Sequence, residues 1–263
     1  MAAQQLMGSR FAVSGVPVFM YHDLCVSAAT EERYTTALPT FREHLAFLRE
    51  QQFAVRALSE IAAGCAERNV VLTFDDGLAS HYELALPALL EQRLSATFFV
   101  TTSLIDSPGY LTWMQLREMS AAGMTIGSHG HRHIDYTGLP LDAARSELLR
   151  SRNELDEHLG AQATTFSAPY GFLNDALTLA ARKAGFLHIC SSQPWLATPE
   201  ADVISRLAVY CDTSLAEFSA LATRCAWPLI ARRTRNAVLH LPKQILLRTS
   251  PRKLGVNVGE ETK

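Results

Sequence analysis

The sequence predicts an α/β protein whose largely parallel sheet closes, or nearly closes, into a barrel. Short apolar runs rich in Val, Phe and Thr alternate with stretches of helical period, the pattern of repeated βα units. The alternation repeats about seven or eight times, a count that suits a barrel better than a small open sheet. It stops near residue 226, so the chain divides into a barrel over 1–225 and a basic C-terminal extension over 226–263.

The units follow in order. "VPVFMY" precedes a helix from Phe41 to Gln51, and "FAVRAL" precedes a brief helix. "NVVLTF" leads to Leu84–Gln92, "SATFFV" to Trp113–Ala122, and "MTIGSH" to Leu141–Leu159. "TTFSAPY" leads to Ala176–Ala184, "FLHICSS" is a further strand, and "VISRLAVY" precedes Leu215–Arg224. Asp142 and Glu147 lie early in the 141–159 helix and Gly160 ends it, while Gly185 follows "LTLAARKA" where a terminating glycine is expected.

At 263 residues the chain has length enough for one substantial core. Charged residues make up 19% and the net charge is -2, which points away from nucleic acid and from acidic disorder. The segment Arg224 to Lys253 holds eight Lys/Arg and no Asp/Glu, so +8 sits there and -10 on the rest. There Arg232, Arg233 and Arg235 interleave with Trp227, Leu229 and Ile230, which suits either contact with an anionic membrane or packing on the acidic barrel. Five scattered cysteines without a CxxC pair predict reduced thiols. The N-terminus lacks the basic and apolar regions of a secretory signal, so the expected location is the cytoplasm, with the tail able to reach the inner face of the membrane.

The chemistry concentrates in "VVLTFDDGLASHYE", where Asp75 and Asp76 end an apolar strand. Functional side chains collect at the carboxyl ends of parallel strands. A helix N-cap accounts for one aspartate and leaves the other unexplained. Two adjacent carboxylates kept ionised call for a cation. "IGSHGHRHIDY" brings His129, His131 and His133 to the end of another strand. One Asp with two His is an N/O set suited to Zn²⁺ or another divalent first-row ion, with positions left open for water and substrate. Such an ion lowers the pKa of bound water toward about 7 and polarises a carbonyl, leaving the second carboxylate as general base. Trp113 and Trp195 are candidates to stack on a sugar face or to anchor the core. His81, one turn after the aspartates, reads as structural.

"TFDDG", "GSHGHRH" and "SAPYG", with "VPVFMYH" and "YLTWMQLREMSAAGMTIGSH", together resemble the polysaccharide deacetylase family, the NodB-homology domain of carbohydrate esterase family 4, over roughly Val16 to Phe218. The resemblance implies a distorted (β/α)7 barrel and metal-dependent removal of N- or O-acetyl groups from sugars. It implies Asp75 as catalytic base and Asp76, His129 and His133 as ligands of one divalent ion, Zn²⁺ first, with Co²⁺, Ni²⁺ or Mn²⁺ as alternatives. His131 is then a spare loop residue, and Gly130 stands in place of the usual Thr or Ser. "SAPYG" implies a groove wall containing Pro169 and Gly171, with the Tyr170 N–H stabilising the oxyanion. His22 matches a Tyr-His of the family and is expected in the pocket.

Two departures stand out. Ser167 occupies the position of the arginine that usually orients the catalytic aspartate, and Arg206 in "VISRLAVY" is the cation expected at the groove in its place. The late Leu-x-His that supplies a general acid has no clear counterpart: His188 in "GFLHIC" and His240 in "VLH" are the candidates. The reading is therefore a deacetylase acting on an acetylated polysaccharide or glycan precursor. Its competitors are a hydrolase of a non-sugar C–N bond and a carbohydrate-binding protein weakened in catalysis.

Overall fold

The computed structural model describes residues 13–27, 31–63, 68–198 and 200–235. Its strands, in chain order, are β1 (Val18–Tyr21), β2 (Asp23–Cys25), β3 (Thr35–Ala37), β4 (Ala54–Val55), β5 (Asn69–Phe74), β6 (Thr97–Val100), β7 (Thr125–Ser128), β8 (Thr165–Ser167), β9 (His188–Cys190) and β10 (Leu207–Ala208). The main sheet runs β10-β1-β5-β6-β7-β8-β9 with β4 added beside β5, and its pairings are parallel. Ile204 bridges Cys190 at one edge while Leu207 and Ala208 pair with Phe19 and Met20 at the other. One short stretch thus touches both edges and draws the curl toward closure.

The helices are α1 (Leu38–Glu50), α2 (Leu86–Gln92), α3 (Trp113–Ala121), α4 (Leu141–Leu159), α5 (Asp175–Lys183) and α6 (Leu215–Ala222). A seventh, α7, runs over 226–235. Thr112 and Gln115 form a reciprocal capping box at the start of α3, and left-handed Gly160 ends α4. The sequence expectations hold for these units with shifts of a few residues. They miss the small β2–β3 sheet and a π-helical turn, His81–Ala85, that precedes α2.

Period-two alternation divides the core. Val18, Val71, Phe99, Cys190 and Ile204 pack on one side of the sheet, and Phe19, Leu72, Phe74 and Phe98 on the other under the helices. β5 is buried along its whole length, as the continuous run "NVVLTF" requires for a central parallel strand. Helix α6 is anchored by Phe218, which stacks on Phe19 at 4.3 Å and on His44 of α1 at 4.1 Å. Helix α7 also packs inward. Leu229 is fully buried, Arg232 pairs with Glu217 at 2.7 Å, and the Arg233 guanidinium lies 5.0 Å over the Trp195 ring. Arg232 is thereby engaged on the barrel, in line with the packing expectation for this part of the tail; residues 236–263, including His240, lie outside the described residues. Among the described residues no helix is long and apolar enough to cross a membrane.

Two core histidines give the fold a pH dependence. Burial lowers both His44 and His81 from the ordinary histidine range to about 4. Their folded pKa lies below the unfolded one, so the unfolded chain takes up protons first as pH falls. Stability is complete above about pH 6.5 and declines from there toward pH 4, by several kcal/mol, roughly, for the pair. Thermal unfolding followed from pH 7 to pH 4.5 should show a falling midpoint, less steep in His44→Gln; a midpoint constant over that window would contradict the assignment.

Candidate active site

Asp75 and Asp76 leave the carboxyl end of β5, where the Asp75 N–H donates to the Tyr21 carbonyl at 3.0 Å. His129 leaves β7 two strands away, its N–H donating to the Val100 carbonyl at 2.8 Å. The turn after β5 requires positive φ at Asp76 (80°) and Gly77 (78°), which swings the two aspartate side chains apart. Asp76 faces the histidines and Asp75 turns into the barrel.

Asp76, His129 and His133 converge, one donor atom from each lying within 4.8 Å of the others. Asp76 Oδ1 is 3.3 Å from Nε2 of both histidines. The His129 Nδ1–H donates to the Ser167 carbonyl at 2.9 Å, which fixes the tautomer and leaves Nε2 free as a donor to a cation. Burial opposes charge on His129, yet Asp75 and Asp76 outweigh it and raise its pKa. Burial likewise opposes ionisation of Asp76, and hydrogen bonds from His129 and His133 overcome it and hold the carboxyl well below its usual range. The cluster therefore asks for positive charge, and its donor set fits a divalent first-row ion.

His131 is turned away from this cluster. It is buried, with Nδ1 3.0 Å from Thr102 Oγ1 and 3.1 Å from Glu154, so it is a packed structural residue and not a partly exposed loop residue. Gly130 has φ of 84°, and a Cβ there would collide with the Tyr136 hydroxyl, which accounts for glycine between the candidate ligands.

Asp75 is held from behind. Arg206 donates from Nη1 to Oδ1 and from Nη2 to Oδ2, both at 2.7 Å, while Ser167 Oγ accepts from Arg206 Nη2 at 2.8 Å and donates to Asp75 Oδ2 at 3.2 Å. Burial alone would raise the Asp75 pKa; Arg206 outweighs it, with help from His129 and His22, and brings it to about 2. Arg206 is 0% exposed and its Nε–H donates to the Ser191 carbonyl at 3.0 Å. Arg206 thus holds Asp75 in place of the missing arginine, while the substrate contact at the groove also expected of it is corrected: it lies beneath the groove, bonded to Asp75, Ser167, Thr73 and the Ser191 carbonyl. Ser167 and Arg206 together fill the space and supply the charge that a longer side chain at 167 would bring.

The site opens into a cavity of about 860 Å³ that reaches His22, Asp75, Asp76, His129, His133 and Tyr170. His22 is half-buried; desolvation lowers its pKa, against the opposing fields of Asp76 and Asp75. Its carbonyl accepts from His81 Nε2 at 2.7 Å. Tyr170 has φ of 60° and packs its ring edgewise on His133 at 4.6 Å. The Gly171 and Phe172 amides are spent on Ala168 and Pro169, whereas the Tyr170 N–H has no acceptor among the described residues. Gly171 lines the cavity with φ of 71°, and a Cβ there would strike Ser192.

Three further expectations are corrected. His188 is the first residue of β9, opposite Thr165 at the amino end of β8, so it sits at the wrong end of the barrel to serve as a catalytic group. Trp113 stacks on His158 at 3.9 Å, beside α4 and outside the cavity. Pro169 is buried beneath its turn and does not line the cavity, which leaves Tyr170 and Gly171 as the wall. Sequence reasoning missed Tyr34 and Tyr210, which line the cavity beyond His22. They lie on loop or edge positions with no periodic signal.

Comparison with known proteins follows the same direction. A family profile described as "Polysaccharide deacetylase" matches residues 64–189. The chain is 28% identical to YxkH of Bacillus subtilis (strain 168) over 189 residues, covering 70% of this chain and 66% of that protein. It is 25% identical over 262 residues to the poly-beta-1,6-N-acetyl-D-glucosamine N-deacetylase of Escherichia coli (strain K12), covering 78% of this chain and 38% of the enzyme. The chain thus spans less than two thirds of either relative. Among solved structures, the Streptococcus pyogenes deacetylase PplD in complex with acetate superposes with a TM-score of 0.73 at 22% identity, covering 81% of this chain and 98% of that one. IcaB from Ammonifex degensii gives 0.69 at 24% identity, covering 83% and 98%. These likenesses show the shared fold.

Proposed function

The chain belongs to the polysaccharide deacetylase family, and from that premise we propose that it hydrolyses acetyl groups from a carbohydrate at the Asp75–Asp76–His129–His133 centre. The observation that carries the reading is the division of labour between the two aspartates: one converges with two imidazoles, the other is clamped by Arg206 and faces the same cavity. Asp76, His129 and His133 would hold a divalent ion, with Zn²⁺ the first choice, which when bound would supply Lewis acidity.

The chain's own groups do the rest. Asp75 is ionised at ordinary pH, and Oδ1, which among the described residues accepts from Arg206 alone, keeps a lone pair for the proton of the attacking water. The Tyr170 N–H, which has no acceptor among the described residues, receives the developing oxyanion. His22 lines the cavity with both aspartates and is the histidine able to meet the substrate there, which His188, at the far end of its strand, is not. His22→Ala is expected to slow turnover more than His188→Ala does; the reverse order in steady-state rates would reject the assignment.

The relatives support an acetylated amino sugar as the substrate: they include deacetylases named for poly-beta-1,6-N-acetyl-D-glucosamine, peptidoglycan N-acetylglucosamine and chitooligosaccharide. Acetate release should be measured side by side from N-acetylated oligosaccharides, O-acetylated sugars and non-sugar acetamides. Release from the sugars is expected. Release from the non-sugar amides alone would replace this reading with that of a different amidohydrolase.

A further inference from the structure

The cavity is larger than one reacting sugar needs, lying toward the upper end of the roughly 300–1,000 Å³ that holds a drug-sized ligand. From the reaction centre an arm follows a run of rings. The His22 ring is 4.7 Å from that of Tyr34, which is 37% exposed, and Tyr34 meets Tyr210 edgewise at 5.5 Å. Beyond them the Arg33 guanidinium lies 4.5 Å and the Arg232 guanidinium 5.5 Å from the Tyr210 ring. Arg33, Arg232 and Arg235 supply the Lys/Arg charge on the cavity wall among the described residues, and all three belong to this arm; the opposite arm, past Tyr170, reaches Asn174, Asp175 and Thr178.

Building on the deacetylase reading, we propose that this arm is a subsite for an anionic group, carboxylate or phosphate, that the substrate carries next to its acetylated sugar. Two carboxylates also line the arm. Glu217 is spent on Arg232 at 2.7 Å, which leaves Asp212 as the other carboxylate on the wall that Arg33 and Arg235 also line. Among the described residues neither Arg33 nor Arg235 enters an ion pair. A guanidinium already stacked on tyrosine loses less freedom on binding, and its planar fork matches a carboxylate or phosphate. The exposed Tyr34 ring offers an apolar face to the sugar that bears the group.

Calorimetric titration of the full chain with two acetylated oligosaccharides of equal length reads this directly. One is neutral, and the other has a uronate residue beside the acetylated one. The acidic ligand is expected to bind at least tenfold tighter, with the advantage shrinking as salt is added, and Arg33→Ala and Arg235→Ala should each cut that ratio severalfold. An acetylated sugar phosphate in place of the uronate tells which anion the subsite prefers, and selective binding of either supports it. Equal affinities for acidic and neutral ligands, no binding of either, or a preference that survives the double Arg33→Ala/Arg235→Ala change would overturn the subsite, whether or not acetate is released. Selective, arginine-dependent binding without acetate release would keep the subsite and remove the deacetylase reading.

Discussion

Asp75→Asn should retain one divalent ion per chain and lose turnover by about 10²–10⁴-fold, the range spanned by a general base. The side chain contributes no atom to the Asp76–His129–His133 cluster, and its oxygens are engaged by Arg206 and Ser167. Replacing one oxygen by an amide leaves the ligands in place but removes the proton acceptor. Asp76→Asn should lose both metal and turnover, because its Oδ1 is the atom equidistant from the two imidazoles. Metal analysis and steady-state rates on the two variants check this together. Equal loss of metal from both would make Asp75 a ligand and leave the base unassigned.

The second large effect is expected at Arg206. Arg206→Ala leaves Asp75, 2% exposed, with Ser167 as its remaining side-chain donor of the clamp. Stranding one member of a buried ion pair costs about 3–5 kcal/mol. For a chain of this size that corresponds to a fall of roughly 10 °C in the unfolding midpoint. Arg206→Lys should recover part of the stability but not the rate, because an ammonium is a point charge that cannot hold both carboxylate oxygens in one plane. The double change Arg206→Ala/Asp75→Asn should be more stable than Arg206→Ala alone, since no buried charge remains unpaired. An Arg206→Ala protein within about 1 kcal/mol of the parent would mean that the pair stores little of the energy its geometry suggests.

These residues also mark what could be read without coordinates. Asp75, Asp76 and His129 were legible because they follow the ends of β5 and β7, and strand ends are visible as the last residue of an apolar run; His133 was singled out by the family's spacing of its two histidines. "NVVLTF" before Asp75 is the clearest case, since a central strand buried on both faces cannot be mistaken for an amphipathic one. The Arg206–Asp75 clamp is a contact between residues 131 apart in the chain. Sequence could nominate the arginine as a replacement for the missing one, but not say that it approaches from beneath the groove. That depends on the 204–208 stretch spanning both sheet edges.

His188 shows the converse. "FLHICSS" is a strand, but whether a residue in it faces the pocket depends on register, and pairing with Thr165 puts the histidine at the entry end. Trp113 was a reasonable sugar platform by residue type, yet the capping box fixes it at the first turn of α3, where its ring meets His158. The cavity's aromatic wall comes instead from Tyr34 and Tyr210, which neighbour one another only after β3 and β10 are in place.

The most direct test of the central claim is acetate release from an N-acetylated oligosaccharide by one preparation in three states: as isolated, after chelation, and after return of one equivalent of Zn²⁺. Release in the first state, its loss in the second and its recovery in the third, matched by one new free amine for each acetate, is the predicted result. Undiminished release from the fully chelated protein, or none from any state while the oligosaccharide still binds, would contradict it.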